Sequence, residues 1–237
     1  IANGILTPER IDEAVTRILA MKAALHLPEK QTEARLVPPK EDLAVLKGEK
    51  HVEWAKQAAD NGITLVKDTA DNLPLRPEAT PRLLLQVIGP YEEANTQITS
   101  TVIPLLEKAG FRVTLYQPED FTTGFESVSQ FRSKYDAVLY LANVENRSNA
   151  TTTRINWYTF FGQGNNIPWF VDEVPTVFAS LGNPYHLMDV PMVKTYINTY
   201  DNHQAVIEAL VAKILGKSDF KGVSPIDPYC GLMDARR

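Results

Sequence analysis

The sequence predicts an α/β fold: a mostly parallel sheet flanked by helices, an α/β sandwich of Rossmann-like type, preceded by one isolated helix and a linker. Three observations carry this expectation. From residue 51 onward, β-rich runs alternate with helical periodicities, the pattern of βαβ units. The run Arg82–Ile88 is apolar at nearly every position, as a central strand covered on both faces requires. Residues His203 to Leu215 repeat Val206, Ile207, Leu210, Val211 and Ile214 at helical spacing, and Gly216 closes the segment.

The first predicted element is a helix over residues 7–26. Thr7 is a good N-cap, and Pro8 suits the first helical position, where its missing N–H costs nothing. Ile11, Ala14, Val15, Ile18, Leu19 and Leu25 form one apolar stripe that must be buried against something. From Glu29 to Glu49 the composition turns to charges and the pair Pro38-Pro39, which predicts an extended linker. His51 to Asp60 follows as a helix with Val52, Ala55, Ala58 and Ala59 inward. Strands are then expected at Ile63–Lys67, Arg82–Ile88, Phe111–Tyr116, Tyr135–Leu141, Val174–Leu181 and Val193–Tyr200. Helices are expected at 95–109, with Pro104 kinking or restarting the turn, and at 125–133. The predicted domains are 1–28, 29–50 and 51–237. Residues 143–172 are polar and aromatic with little periodicity, a length of loop that is often functional.

Composition narrows the function classes. Hydrophobic residues make up 44% and charged residues 22%, which excludes a disordered tail. A net charge of −5 with scattered Lys and Arg argues against a nucleic-acid partner, which needs a basic face. No apolar run approaches the roughly 20 residues of a membrane span. The single Cys230 cannot form an internal disulfide or a multi-cysteine zinc site. With no basic neighbour it reads as a packing residue. The start Ile1-Ala2-Asn3-Gly4 has neither Met nor a signal peptide, and reads as a piece of a longer chain. The compartment stays open between the bacterial cytoplasm and secretion.

No motif for self-contained chemistry is complete in this sequence. Gly162-Gln163-Gly164-Asn165-Asn166-Ile167 has only the first two glycines of a dinucleotide fingerprint, and no phosphate loop exists. Ser180 follows a strand, but Phe178 stands where a nucleophile elbow needs glycine, so Ser180 reads as a strand-end residue bonded to its own backbone. His26, His51, His186 and His203 lack metal-ligand spacing, so no metal or cofactor is expected. Glu145, Asp172, Glu173, Asp189 and Asp201 are acidic candidates that the sequence cannot pair, each reading equally as a solvated loop residue. Asn146-Arg147-Ser148 and Asn149-Ala150-Thr151 match glycosylation acceptors by a frequent chance pattern.

Three stretches are distinctive together. Gly4-Ile5-Leu6-Thr7-Pro8-Glu9-Arg10-Ile11-Asp12-Glu13-Ala14-Val15 with Arg17-Ile18-Leu19 is similar to the last helix of the (β/α)8 barrel of glycoside hydrolase family 3. Ala55 through Lys67 resembles the start of its second domain. Ser180-Leu181-Gly182-Asn183-Pro184-Tyr185-His186-Leu187, with Val193 to Tyr200, looks like the β-N-acetylhexosaminidase branch. The resemblance covers nearly the whole chain in the right order. It implies a retaining glycosidase of carbohydrate metabolism, acting on terminal β-linked N-acetylglucosamine through a covalent intermediate.

The resemblance also implies a division of labour. The nucleophilic aspartate and the Asp–His acid/base pair of that branch belong to the barrel, and the Lys-His-Phe-Pro-Gly-His-Gly type of motif has no counterpart here. In the β-glucosidase branch the second domain supplies an acidic glutamate, but no position matches that motif. No catalytic residue is therefore expected in this chain. Arg154, Asn156 and Trp157 are the candidates for binding or for facing the barrel, since Arg and Trp are enriched at interface hot spots. Expected partners are the missing barrel and a carbohydrate. Without the barrel, the 7–26 helix is expected to dock on its own domain or on a second copy, making a homodimer. The competing readings are a β-glucosidase or phosphorylase of the same family, and a stand-alone ligand-binding module.

Overall fold

The structure is a computed structural model that describes residues 1–117, 127–145, 153–157, 159–160, 163–164 and 166–236. The glycosylation-like triplets at 146–151, and Gly162 and Asn165 of the glycine-containing stretch, lie outside the described residues. The chain divides into two compact units, Ile1–Val52 and Glu53–Arg237.

The first unit carries α1 (Pro8–Ala24), α2 (Leu27–Thr32) and a 3-10 turn at Lys40–Val45. Thr7 caps α1, its side chain accepting from the Arg10 N–H at 3.2 Å. No residue of α1 is buried, and Val15, Ile18 and Leu19 are 45, 49 and 57% exposed. The segment read as an extended linker instead contains α2 and the 3-10 turn. Pro28 sits in the first turn of α2, where its lost N–H is tolerated.

α3 (Glu49–Gly62) buries only Ala59, whereas Val52 and Trp54 are 42% and 59% exposed. Of the expected inward face, Val52, Ala55 and Ala58 are exposed and only Ala59 is buried. The helix meets the core only through its last turn.

The second unit is built on a six-stranded sheet: β1 (Thr64–Asp68), β2 (Arg82–Ile88), β3 (Arg112–Leu115), β4 (Ala137–Asn143), β7 (Thr176–Leu181) and β8 (Thr195–Asn198). A small antiparallel hairpin pairs β5 (Thr159–Phe160) with β6 (Gln163–Gly164). The sheet order is β1-β8-β7-β4-β2-β3, parallel throughout except for β1, which runs antiparallel to β8. β2 is an interior strand between β4 and β3, and the middle pair is β7 and β4. Both middle strands are buried at every position.

Period-two alternation sends the side chains of each strand to two cores. On one face Leu83, Leu85, Leu139, Leu141, Val177 and Ile197 meet α4 (Glu92–Ala109) and α6 (Gln204–Ile214), which contribute Val102, Leu106, Leu210 and Ile214. α4 continues through Pro104 instead of restarting there. On the other face Tyr140, Phe178 and Tyr196 stack across β4, β7 and β8, with ring centroids 5.6 and 5.7 Å apart. Phe131 of α5 (Val128–Lys134) and the loop residues Ile155, Phe170, Leu187, Val190 and Val193 cover that ladder. Arg82 ties β2 to β4, its Nε and Nη2 lying 2.9 and 2.6 Å from the Asp136 carboxylate.

The C-terminal tail is fastened to β1 by Lys67. This side chain is 5% exposed, and its Nζ donates to the carbonyls of Pro191 (3.2 Å) and Ala235 (2.8 Å). Burial, aided by Lys194, depresses its pKa to about 8 from an ordinary 10.5. Between these values the unfolded chain holds a proton that the folded chain has shed, so stability rises with pH. We expect the urea midpoint of the protein to climb between pH 8 and 10.5, by up to about 3 kcal/mol in stability. The climb should be absent in Lys67→Met. Equal pH profiles for the two proteins would contradict this account.

Candidate functional site

In an open parallel sheet the strands deliver their loops to the carboxyl end, and ligands bind there. Here β2, β4, β7 and β8 end together, and the ends are joined by polar side chains. Asn202 donates to the Asn143 Oδ1 at 2.8 Å, Asn143 to the Asn95 Oδ1 at 3.1 Å, and Asn95 to the Gly89 carbonyl at 2.9 Å. A Cβ on Gly89 would stand 2.6 Å from both the Asn143 carbonyl and the Asn95 side chain, so glycine is required for this closure.

Beside it, the short stretch 153–157 is held to the segment that follows β7. The turn His186–Met188 is anchored by fully buried Leu187, Val190 and Val193. Asp189 ends this turn with its side chain only 7% exposed. One carboxylate oxygen pairs with the Arg154 guanidinium, and the other accepts the Ile155 N–H at 3.2 Å. His186, 1% exposed, places its Nε2 2.8 Å from the Thr153 carbonyl and its Nδ1 2.6 Å from the Ser180 hydroxyl. A carbonyl can only accept, so the imidazole proton belongs on Nε2, while the single Ser180 hydroxyl proton lies between Nδ1 and the Asn183 carbonyl, 2.5 Å away. Burial holds His186 below its ordinary value of 6.5, against the Thr153 carbonyl and Asp189, which favour its charged form.

The candidates named from sequence occupy this stretch in different ways. Arg154 keeps 61% of its side chain exposed while gripping Asp189. Asn156 is exposed, and Trp157 is half-buried against the aromatic core. Ile155, between them, is buried. Asp189 departs from a solvated loop reading because two donors compensate its burial. Asp201 accepts the N–H groups of Asn202 and His203 at the start of α6, and Asp172 lies 3.2 Å from Lys194. Glu145 packs beside Gly182.

The other histidines, His26, His51 and His203, are exposed. Cys230, read as a packing residue, is exposed instead, in a turn at φ +49°. Among the described residues no group of three His, Cys, Asp or Glu side chains converges as a metal site. Nor is any described helix long and apolar enough to cross a membrane.

Among the described residues of the cluster, Ser180, His186 and Asp189 expose no nucleophile. Ser180 is fully buried, His186 nearly so, and the Asp189 carboxylate is engaged on both oxygens. What it presents outward is a stretch of backbone with Arg154 and Asn156. Fold and site together define an α/β sandwich domain with loops gathered at the carboxyl end of its sheet.

The comparisons are consistent with that definition. No family model matches the chain. A β-N-acetylglucosaminidase/β-glucosidase of Cellulomonas fimi is 40% identical over 99% of this chain, and the chain spans 42% of that protein's length. The structure of the β-glucoside phosphorylase BglX is 42% identical with a TM-score of 0.78, covering 99% of this chain and 41% of that one. A family 3 β-N-acetylglucosaminidase from Paenibacillus shares the fold at 20% identity and a TM-score of 0.55, over 96% of this chain and 41% of its own. These relatives are members of glycoside hydrolase family 3, and a span of about two fifths of their length is consistent with a C-terminal domain of that family.

Proposed function

We propose that this chain is the C-terminal domain of a retaining glycosidase that releases terminal β-linked N-acetylhexosamine, N-acetylglucosamine first among them. In this reading residues 1–28 are the last helix of a (β/α)8 barrel, 29–50 a connection, and 51–237 the domain that supports the barrel. The barrel supplies the nucleophile and the acid/base, and it covers the stripe of Val15, Ile18 and Leu19. Arg154, Asn156 and Trp157 face the barrel and border its sugar site. The observation that carries the proposal is the end-to-end similarity to the Cellulomonas fimi protein, whose name joins N-acetylglucosaminidase and glucosidase activities. The lack of an exposed nucleophile among Ser180, His186 and Asp189 supports a role in binding over one in bond cleavage.

A second reading has its own support, since similarity to the β-glucoside phosphorylase is equally strong. There phosphate would replace water as the acceptor. The two are separated by assaying the full-length protein on aryl β-N-acetylglucosaminide and aryl β-glucoside, with and without inorganic phosphate. The expected result is phosphate-independent release of free N-acetylglucosamine, and no turnover by residues 1–237 alone. A sugar 1-phosphate product would replace hydrolysis by phosphorolysis. Turnover by the isolated chain, surviving repurification, would place an active site within it.

A further inference from the structure

The stretch 153–157 lies in no helix or strand; Ile155 is buried and Trp157 packs in part against the aromatic core, which leaves the backbone at 153–155 and the Arg154 side chain to be fixed by the turn after β7. That turn is rigid because Leu187, Val190 and Val193 are all fully buried in the aromatic core. Asp189 projects from it and receives two consecutive residues of the stretch, the Arg154 side chain and the Ile155 backbone. His186, three residues earlier, takes the preceding Thr153 carbonyl. Three successive residues are thus registered against one anchored turn.

A carboxylate that is only 7% exposed is costly to keep charged unless its partners stay in place. The pairing therefore resists release, and the Arg154 head is presented at a fixed height, with Asn156 two residues further on. A neutral sugar is recognised by donors and acceptors already aimed at its hydroxyl and acetamido groups, because ordering a loose loop on binding subtracts from affinity.

We propose that Asp189 is a positioning residue: it presets the 153–157 arm so that Arg154 and Asn156 meet the bound sugar. This rests on the glycosidase reading above, and the substrate class is the terminal N-acetylhexosaminide of that reading. The substitution Asp189→Asn keeps the shape and an acceptor for Ile155 but removes the charge that holds Arg154. Asp189→Ala removes both.

The test uses the full-length protein and two independent readouts. The first is hydrogen exchange over the 153–157 peptide, which reports the arm whether or not the protein is a glycosidase. The second is the split between KM and kcat on an aryl β-N-acetylglucosaminide. Faster exchange in both variants is expected, together with a KM raised about tenfold, the loss typical of one bond to a charged group, and a kcat changed far less. Unchanged exchange in Asp189→Ala would overturn the positioning role. Faster exchange with unaltered KM would overturn the recognition role of the arm. A wild-type protein that cleaves neither N-acetylglucosaminide nor glucoside would remove the glycosidase reading, while the exchange result still judges the arm.

Discussion

Replacing Gly222 by Ala is expected to destabilise the second unit by about 2–4 kcal/mol, among the largest effects available to a single methyl group. A Cβ at this position would stand 2.6 Å from the Ile63 carbonyl, closer still to that of Gly62, and 2.7 Å from the Thr64 hydroxyl. Two of the three obstacles are backbone atoms at the passage from α3 into β1, so no side-chain rotation relieves them. The chain around Gly222 cannot retreat cheaply either. Lys213 donates to the Asp219 carbonyl at 2.6 Å, and Lys221 reaches Asp60 at 3.3 Å. Urea unfolding of Gly222→Ala should show the lowered midpoint. Hydrogen exchange should show the loss concentrated in 217–224 and at the start of β1. A variant within about 0.5 kcal/mol of the parent, the range of an ordinary surface substitution, would mean that the crossing is loose.

The second large effect is asymmetric. Lys213 has no exposed side-chain surface, whereas its partner Asp60 is 32% exposed. The ammonium lies 3.0 Å from Asp60, 3.2 Å from the Ser218 hydroxyl and 2.6 Å from the Asp219 carbonyl. Ser218 donates to the same carboxylate. Asp60→Ala leaves a dry ammonium with only neutral acceptors and should cost about 3–4 kcal/mol. Lys213→Met removes the buried charge itself and leaves Asp60 with water, Ser218 and Lys221, so about 1–2 kcal/mol is expected. Equal losses, or the reverse order, would refute the argument.

Acid should reproduce part of the first effect. The Ser218 hydroxyl foremost, then Lys213, holds the Asp60 carboxyl at about 2, below its ordinary 3.8. The folded value lies below the unfolded one, so this contribution is complete above pH 3.8 and disappears as pH falls through 2. Its size is about 1 kcal/mol after allowance for the solvent that reaches the carboxylate. Acid titration of the urea midpoint should lose this component in Asp60→Ala.

Much of the fold was legible because its strands are local apolar runs. Arg82–Ile88 and Ala137–Asn143 declare themselves by composition, and α6 by its spacing. Strand order was not legible, since pairing β1 with β8 joins residues more than a hundred positions apart and no local pattern encodes it. The reversed direction of β1 was hidden for the same reason. Trp157 and Arg154 could be singled out by residue type, but their support could not. Asp189 looks like any loop aspartate until the fold brings it to Ile155, 34 residues away. His186 likewise shows no spacing signal, because its partners are a hydroxyl and a backbone carbonyl and not another ligand-type side chain.

The way β1 is finished has a consequence for self-association. A strand at the border of a sheet offers its outer backbone groups to any other extended chain and so invites aggregation. β1 is irregular: its register with β8 slips between Leu65 and Lys67, leaving Val66 as the extra residue. The Tyr229 hydroxyl then occupies the Val66 carbonyl at 2.7 Å, and the next residue inward is a buried lysine. A bulge, a blocked acceptor and a charge that tolerates no apolar neighbour together make β1 a poor template for strand addition. At the opposite border, β3 is only four residues long. Both borders of the sheet are thereby poor templates for strand addition by a second copy.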